Sequence, residues 1–151
     1  MIPAESDAPS IAPTRQRVLF LCVHNSARSQ MAEGMLRAWG GDRFEALSAG
    51  SQATRIRPEA IAVMDELGVD VRGQRSKHVA EFRGQPIDWA ITTCDEDQES
   101  CPVFPAATHH EYWPFDDPAK AGGSVEARLA VFRRVRDELA GRIREFIARS
   151  G

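Results

Sequence analysis

A thiol and a guanidinium stand at the two ends of a short loop, Cys22-Val23-His24-Asn25-Ser26-Ala27-Arg28. If a buried strand leads into such a loop and a helix follows it, the loop's backbone N–H groups can curl inward around a tetrahedral anion. The positive end of the helix dipole adds to that field. Arg28 supplies a planar fork matched to two oxyanion oxygens. The same field favours sulfur as thiolate, its nucleophilic form. Ser29 is placed to hydrogen-bond that sulfur, and Ser26 to donate to the anion, while His24 and Ala27 complete the loop. Asn25 tolerates left-handed backbone and can brace the loop through its amide. The loop has no glycine and no Gly-Lys-Ser/Thr ending, so it is not a nucleotide-binding P-loop. Spacing alone leaves open a buried cysteine with an unrelated arginine nearby.

Two further features bear on chemistry. Cys94 and Cys101 flank the polar, acidic segment Asp95-Glu96-Asp97-Gln98-Glu99-Ser100. Such a segment is expected to pack poorly and to move, as a thiol relay requires, since bonding needs a Cα separation of about 4.4–6.8 Å. The spacing is too wide for a tight zinc knuckle, although a zinc site recruiting His109 or His110 is an alternative. Phe115-Asp116-Asp117-Pro118 offers a carboxyl group on a loop stiffened by proline, suited to protonate a departing oxygen. Adjacent aspartates are also common in plain solvated turns.

These side chains need a frame. Val18-Leu19-Phe20-Leu21 suits a buried strand of a parallel sheet. Met31, Ala32, Met35, Leu36 and Trp39 follow at helical spacing, and Gly40-Gly41 ends the pattern. Phe44 to Ala49 reads as a second strand. Pro58 opens a helix with Ile61, Met64 and Leu67 on its apolar face, stopped by Gly68. Ile87 to Thr93 reads as a third strand that delivers Cys94 to its C-terminal end, and His109 to Trp113 as a short fourth. Ser124 can cap a long final helix with the stripe Val125, Leu129, Phe132, Leu139, Ile143 and Phe146. Alternating strands and helices predict an α/β fold, a parallel sheet covered on both faces. Ligands bind such sheets beyond the carboxyl ends of the strands, where Cys22 and Cys94 both fall.

With 151 residues the chain is expected to form one domain over 17–151, after a mobile, proline-containing tail over 1–16. A net charge of −3 gives no sign of a nucleic-acid surface, and no apolar run approaches a membrane span. The tail lacks the basic start and apolar stretch of a signal peptide, so a cytoplasmic location is expected. In that reducing compartment three cysteines are more readily reactive than structural.

The run Cys22-Val-His-Asn-Ser-Ala-Arg28-Ser29-Gln30-Met31-Ala32-Glu33-Gly34 resembles the active-site signature of the low-molecular-weight phosphotyrosine phosphatase superfamily, most of all its arsenate reductase branch. His110 to Pro118 also resembles that branch, and the likeness extends from about Arg17 to Phe146. It implies a four-stranded parallel sheet flanked by helices on both faces. It also implies that Asp117, the aspartate preceding proline, is the general acid, and that Cys94 and Cys101 are both catalytic. By this resemblance Cys22 attacks arsenate, Cys94 then attacks Cys22, and Cys101 draws the disulfide outward for an external dithiol, thioredoxin, to reduce. Glutaredoxin or a small thiol is the alternative reductant. No bound cofactor or metal is expected, and the chain is expected to be a monomer.

Two other functions stay open at this level. One is a phosphatase of phosphotyrosine or small phosphoesters, with Cys94 and Cys101 incidental; the other is a redox-sensitive oxyanion-binding protein without turnover. Some members of the superfamily also bind potassium beside the loop. Asn25, Glu33 and Ser48 match three of those ligands, but Lys77, one of two lysines in the chain, stands at the fourth position. The expectation is that the Lys77 ammonium replaces the metal ion, against the simpler reading of an exposed lysine.

Overall fold

The structure is a computed structural model that describes residues 15–95 and 101–150. Four strands, β1 (Gln16–Cys22), β2 (Phe44–Gly50), β3 (Trp89–Thr92) and β4 (His109–Tyr112), form one sheet in the order β2-β1-β3-β4. Every pairing is parallel. This is the sheet expected from the sequence. Strand β1 starts at Gln16, and residues 1–14 lie outside the described part.

The apolar run of β1 explains its central place. Val18, Leu19, Phe20 and Leu21 are all buried, and alternate residues enter different cores. Val18 and Phe20 pack with α1 (Arg28–Gly40), α2 (Pro58–Asp65) and α3 (Val125–Ser150) through Met31, Met35, Val63, Phe132 and Phe146. Leu19 and Leu21 face a smaller core closed by Val79 and Phe82 of a 3-10 turn and by Phe104 and Ala107. Both faces are covered, with the three α-helices on one and short irregular elements on the other.

Several elements differ in extent from the sequence reading. Helix α2 ends at Asp65, before Leu67, and buries Ala60, Val63 and Met64 with Ile61 only partly covered. Gly68 then takes a positive φ of 73°, which stops any continuation. Strand β3 pairs only over Trp89–Thr92, although Thr93 N–H still donates to Leu21 O at 2.8 Å. In α3 the Ser124 cap is present, its Oγ accepting from Ala127 N at 3.1 Å. Val125, read as the head of the stripe, is exposed instead, along with its neighbours Glu126 and Ala127 in the first turn.

Parallel register sets the site. Cys22 lies beside Gly50 and Leu21 beside Thr92, so the ends of β1, β2 and β3 are level. The loop after β1 therefore opens at the carboxyl edge, with Cys94 two residues past the end of β3.

Candidate active site

Strand β1 delivers Cys22, and α1 begins at Arg28 with most of its first turns buried. Between them Asn25 takes a left-handed φ of 51°, the one such non-glycine among the described residues. Its side chain compensates for that backbone. Asn25 Nδ2 donates to Ser29 Oγ at 2.8 Å, and Asn25 Oδ1 accepts from Lys77 N–H at 2.7 Å and from Gln30 Nε2 at 2.9 Å. Ser29 Oγ in turn lies 2.8 Å from Cys22 Sγ, with both side chains buried. A hydroxyl already receiving the Asn25 amide is free to point its own proton at the sulfur.

Gly50 sets the other wall. A Cβ there would come within 2.8 Å of Cys22 O and 2.9 Å of Asn25 N, both backbone atoms that cannot yield. The loop can lie against β2 because that position has no side chain. Nothing in the sequence singles out Gln30 or Gly50 for these roles. Gln30 stands inside the signature run, but polar side chains at a helix start are too common to mark one of them.

Cys22, His24, Ser26, Ala27, Arg28 and Asp117 line one small concave space, the cradle. Arg28 is buried, donates from Nη1 to Phe115 O at 3.1 Å, and brings Nη2 within 3.7 Å of Asp117 Oδ2. The two aspartates separate cleanly. Asp116 is exposed and pairs with Arg134 at 3.0 Å, away from the cradle. Asp117 is largely buried, and its Oδ1 caps the turn Pro118–Lys120 by accepting from Ala119 N at 3.0 Å. That bond leaves Oδ2 facing Arg28 and the cradle, where a carboxyl can exchange a proton with a bound oxygen.

The relay cysteines come to the same place. Cys22, Val23 and Cys94 form one buried cluster, with Cys101 packed against it. Cys94 and Cys101 are disulfide-bonded with a Cα separation of 6.3 Å, and Cys22 is free. Thr93 fixes the approach through two bonds to Leu21 O, from its N–H at 2.8 Å and its Oγ1 at 2.9 Å. The acidic stretch 96–100, expected to move, lies outside the described residues. The histidines that could have served zinc are engaged elsewhere: His109 stacks on Trp89 at 4.4 Å between centroids, and His110 Nε2 lies 3.0 Å from Phe104 O. Among the described residues no three His, Cys, Asp or Glu side chains gather to hold a metal ion.

Lys77 is buried rather than exposed. Its Nζ donates to Arg75 O at 2.7 Å and lies 3.6 Å from Glu33 Oε1, which also accepts from Ser48 Oγ at 2.5 Å. Arg37 pairs with the other oxygen of Glu33. Burial holds the ammonium below the usual lysine range, while Glu33 acts in the opposite direction. This donor set does not suit potassium, because an ammonium already stands against Glu33 and the Asn25 carbonyl is taken by N–H groups.

Residues 17–150 match the family described as low molecular weight phosphotyrosine protein phosphatase. An arsenate reductase from Shouchella clausii is 41% identical over 133 residues, covering 88% of this chain and 96% of the relative. Among solved structures, an arsenate reductase in the phosphate-binding state superposes with a TM-score of 0.76 at 34% identity, covering 89% of this chain and 98% of the other. A thioredoxin-dependent arsenate reductase from Corynebacterium glutamicum gives 0.67 at 28% identity, covering 94% and 66% of the two chains. With the signature loop closed into a cradle at the edge of the expected sheet, the chain belongs to the low-molecular-weight phosphotyrosine protein phosphatase family.

Proposed function

We propose that this protein reduces arsenate to arsenite, with thioredoxin as the external reductant. The observation that carries the reading is the packing of Cys94 against Cys22 while it is bonded to Cys101. A hydrolase needs the cradle alone; a second and third sulfur at its wall serve a reaction that must supply two electrons.

The chemistry follows from the geometry. Arsenate sits in the cradle on the loop N–H groups and Arg28. The Cys22 thiolate attacks arsenic, and Asp117 Oδ2 gives its proton to the departing oxygen, which leaves as water. The Cys94 thiolate then attacks Cys22 Sγ. The electron pair of the S–As bond passes to arsenic, releasing arsenite and leaving a Cys22–Cys94 disulfide. Cys101 attacks Cys94, frees Cys22 and forms the Cys94–Cys101 bond, the arrangement seen here. A dithiol from outside reduces that bond by exchange.

Three observations support the finer points. Cys101 is less buried than Cys94, as a sulfur open to an external thiol must be. Two residues on, Val103 is 71% exposed beside a groove lined by Val79, Phe104 and Pro105, apolar surface against which thioredoxin can rest. Lys77 takes the place of a cation, bracing Glu33 and the loop, so no resident metal or cofactor is invoked. The same reading places the chain in the cytosol, working as a monomer. Hydrolysis of phosphoesters uses Cys22, Arg28 and Asp117 alone, so a weak phosphatase activity accompanies it.

The test is arsenate-dependent NADPH consumption with thioredoxin and thioredoxin reductase. Wild type is expected to turn over and Cys101→Ser to stop. Turnover surviving unchanged in that variant, or aryl phosphate hydrolysed far faster than arsenate is reduced, would refute the reading. A strong, specific rise in rate with potassium over sodium would remove the role given to Lys77.

A further inference from the structure

A second space adjoins the cradle. It is a cleft of about 380 Å3, whose lining includes His24, Ser26, Arg55, Arg57, Asp117 and Lys120. His24, Ser26 and Asp117 also line the cradle, so the two spaces are continuous. One wall is the strap 52–57, fastened to the loop by Gln52 N to Val23 O and Arg57 N to Ser26 O, each 2.9 Å. The opposite wall is the turn Pro118–Lys120, held by the Asp117 cap.

The charge of this cleft is out of balance. Arg72, Arg75 and Arg133 each pair with a carboxylate, as do most arginines of the fold. Arg55 and Lys120 have no ion pair among the described residues. Arg57 reaches only Glu59, at 3.5 Å, and Glu59 is shared with Arg128 at the same distance. Arg57 Nε is buried without a hydrogen-bond partner. The one carboxylate lining the cleft, Asp117, is turned to Arg28. Neither Phe, Tyr nor Trp lines the cleft, so it offers no flat apolar wall to an aromatic ring.

We propose that this cleft is a second anion subsite, in which Arg55, Arg57 and Lys120 hold a second anionic group of a compact ligand whose terminal tetrahedral group occupies the cradle. The ligand class is a small bis-anion, such as a diphosphate, in preference to an aryl monoester. The proposal rests on the cradle binding a tetrahedral oxyanion. It does not depend on arsenate being reduced there.

The oxidised protein allows a direct test, because the Cys94–Cys101 bond leaves Cys22 as the thiol to alkylate. Protection of Cys22 from iodoacetamide is titrated with inorganic phosphate, pyrophosphate and phenyl phosphate. Pyrophosphate is expected to half-protect at a concentration about tenfold below phosphate, the effect of a few partly exposed charge pairs. Phenyl phosphate should stay within about threefold of phosphate. In the double variant Arg55→Ala/Lys120→Ala the pyrophosphate advantage should shrink to less than about threefold. Pyrophosphate no better than phosphate, phenyl phosphate as good as pyrophosphate, or an advantage intact in the double variant would overturn the subsite. Failure of phosphate itself to protect would remove the cradle reading, and the subsite with it.

Discussion

The cradle and the relay meet at one sulfur but are held in opposite ways. Around Cys22 the loop is fixed by Asn25, Ser29, Gln30 and the Lys77 backbone, and Gly50 lets it lie against β2. Around Cys94 the approach is anchored by Thr93, through its two bonds to Leu21 O. Beyond it Cys101 is tied back by a disulfide, and Pro102 and Phe104 after it are both buried. A binding site works best when its donors are in place before the ligand arrives. A relay must change partners, so its bonds cannot all be permanent.

Four substitutions break or sharpen that contrast. Cys22→Ser should have the largest effect, lowering both arsenate reduction and aryl phosphate hydrolysis by roughly 10^4-fold or more, since both need the sulfur nucleophile. Steady-state assays of the two reactions check this. Cys101→Ser should separate the regions. Sustained reduction should fall by at least about 100-fold while aryl phosphate hydrolysis, which uses the cradle alone, stays within about threefold. Asn25→Ala attacks the cradle without touching a reacting atom. It removes two side-chain acceptor contacts and the orientation of Ser29, and should lower kcat/KM for both reactions by about 10–100-fold, the usual cost of a misplaced group.

The smallest effect concerns an anchor remote from both regions. Glu111 on β4 accepts from Arg149 at 2.7 Å and Trp113 at 2.8 Å, tying the sheet to α3. Partial burial pushes its carboxyl up, but these bonds outweigh that and leave it below the ordinary glutamate value of 4.5. Its contribution to stability is therefore complete above about pH 4.5 and lost as pH falls through the lowered folded value. Thermal unfolding of Glu111→Gln should show a Tm deficit at neutral pH that narrows below pH 4.5, with phosphate protection of Cys22 unchanged at pH 7. A deficit constant with pH would contradict that assignment.

Much of this organisation is legible in the amino-acid sequence. The run Val18 to Leu21 is apolar on both sides of the strand, which only a central strand satisfies, and so the Cys22 loop has to open at a sheet edge. Asp117 is preferred to Asp116 only through the resemblance, because both carry the same group and what parts them is which way the turn faces. The Gln30 bond to Asn25 is not legible because polar side chains at a helix start are too common to mark one, and the closeness of Gly50 to the loop is not because it joins residues far apart in the chain. Lys77 is instructive: its oddity is visible in a chain with two lysines, but its burial against Glu33 is not. The cationic cleft is hidden for the same reason, as it assembles from the loop, the strap and the turn.

The central claim is an order among three sulfurs, and trapping tests it most directly. Fully reduced Cys101→Ser is mixed with excess arsenate, quenched with acid and mapped by peptide mass spectrometry. The expected result is one arsenite released per protein and a Cys22–Cys94 disulfide in nearly every molecule. Arsenite released with Cys22 and Cys94 still as thiols, or no arsenite at all from a protein whose cradle still binds phosphate, would contradict the order Cys22, Cys94, Cys101.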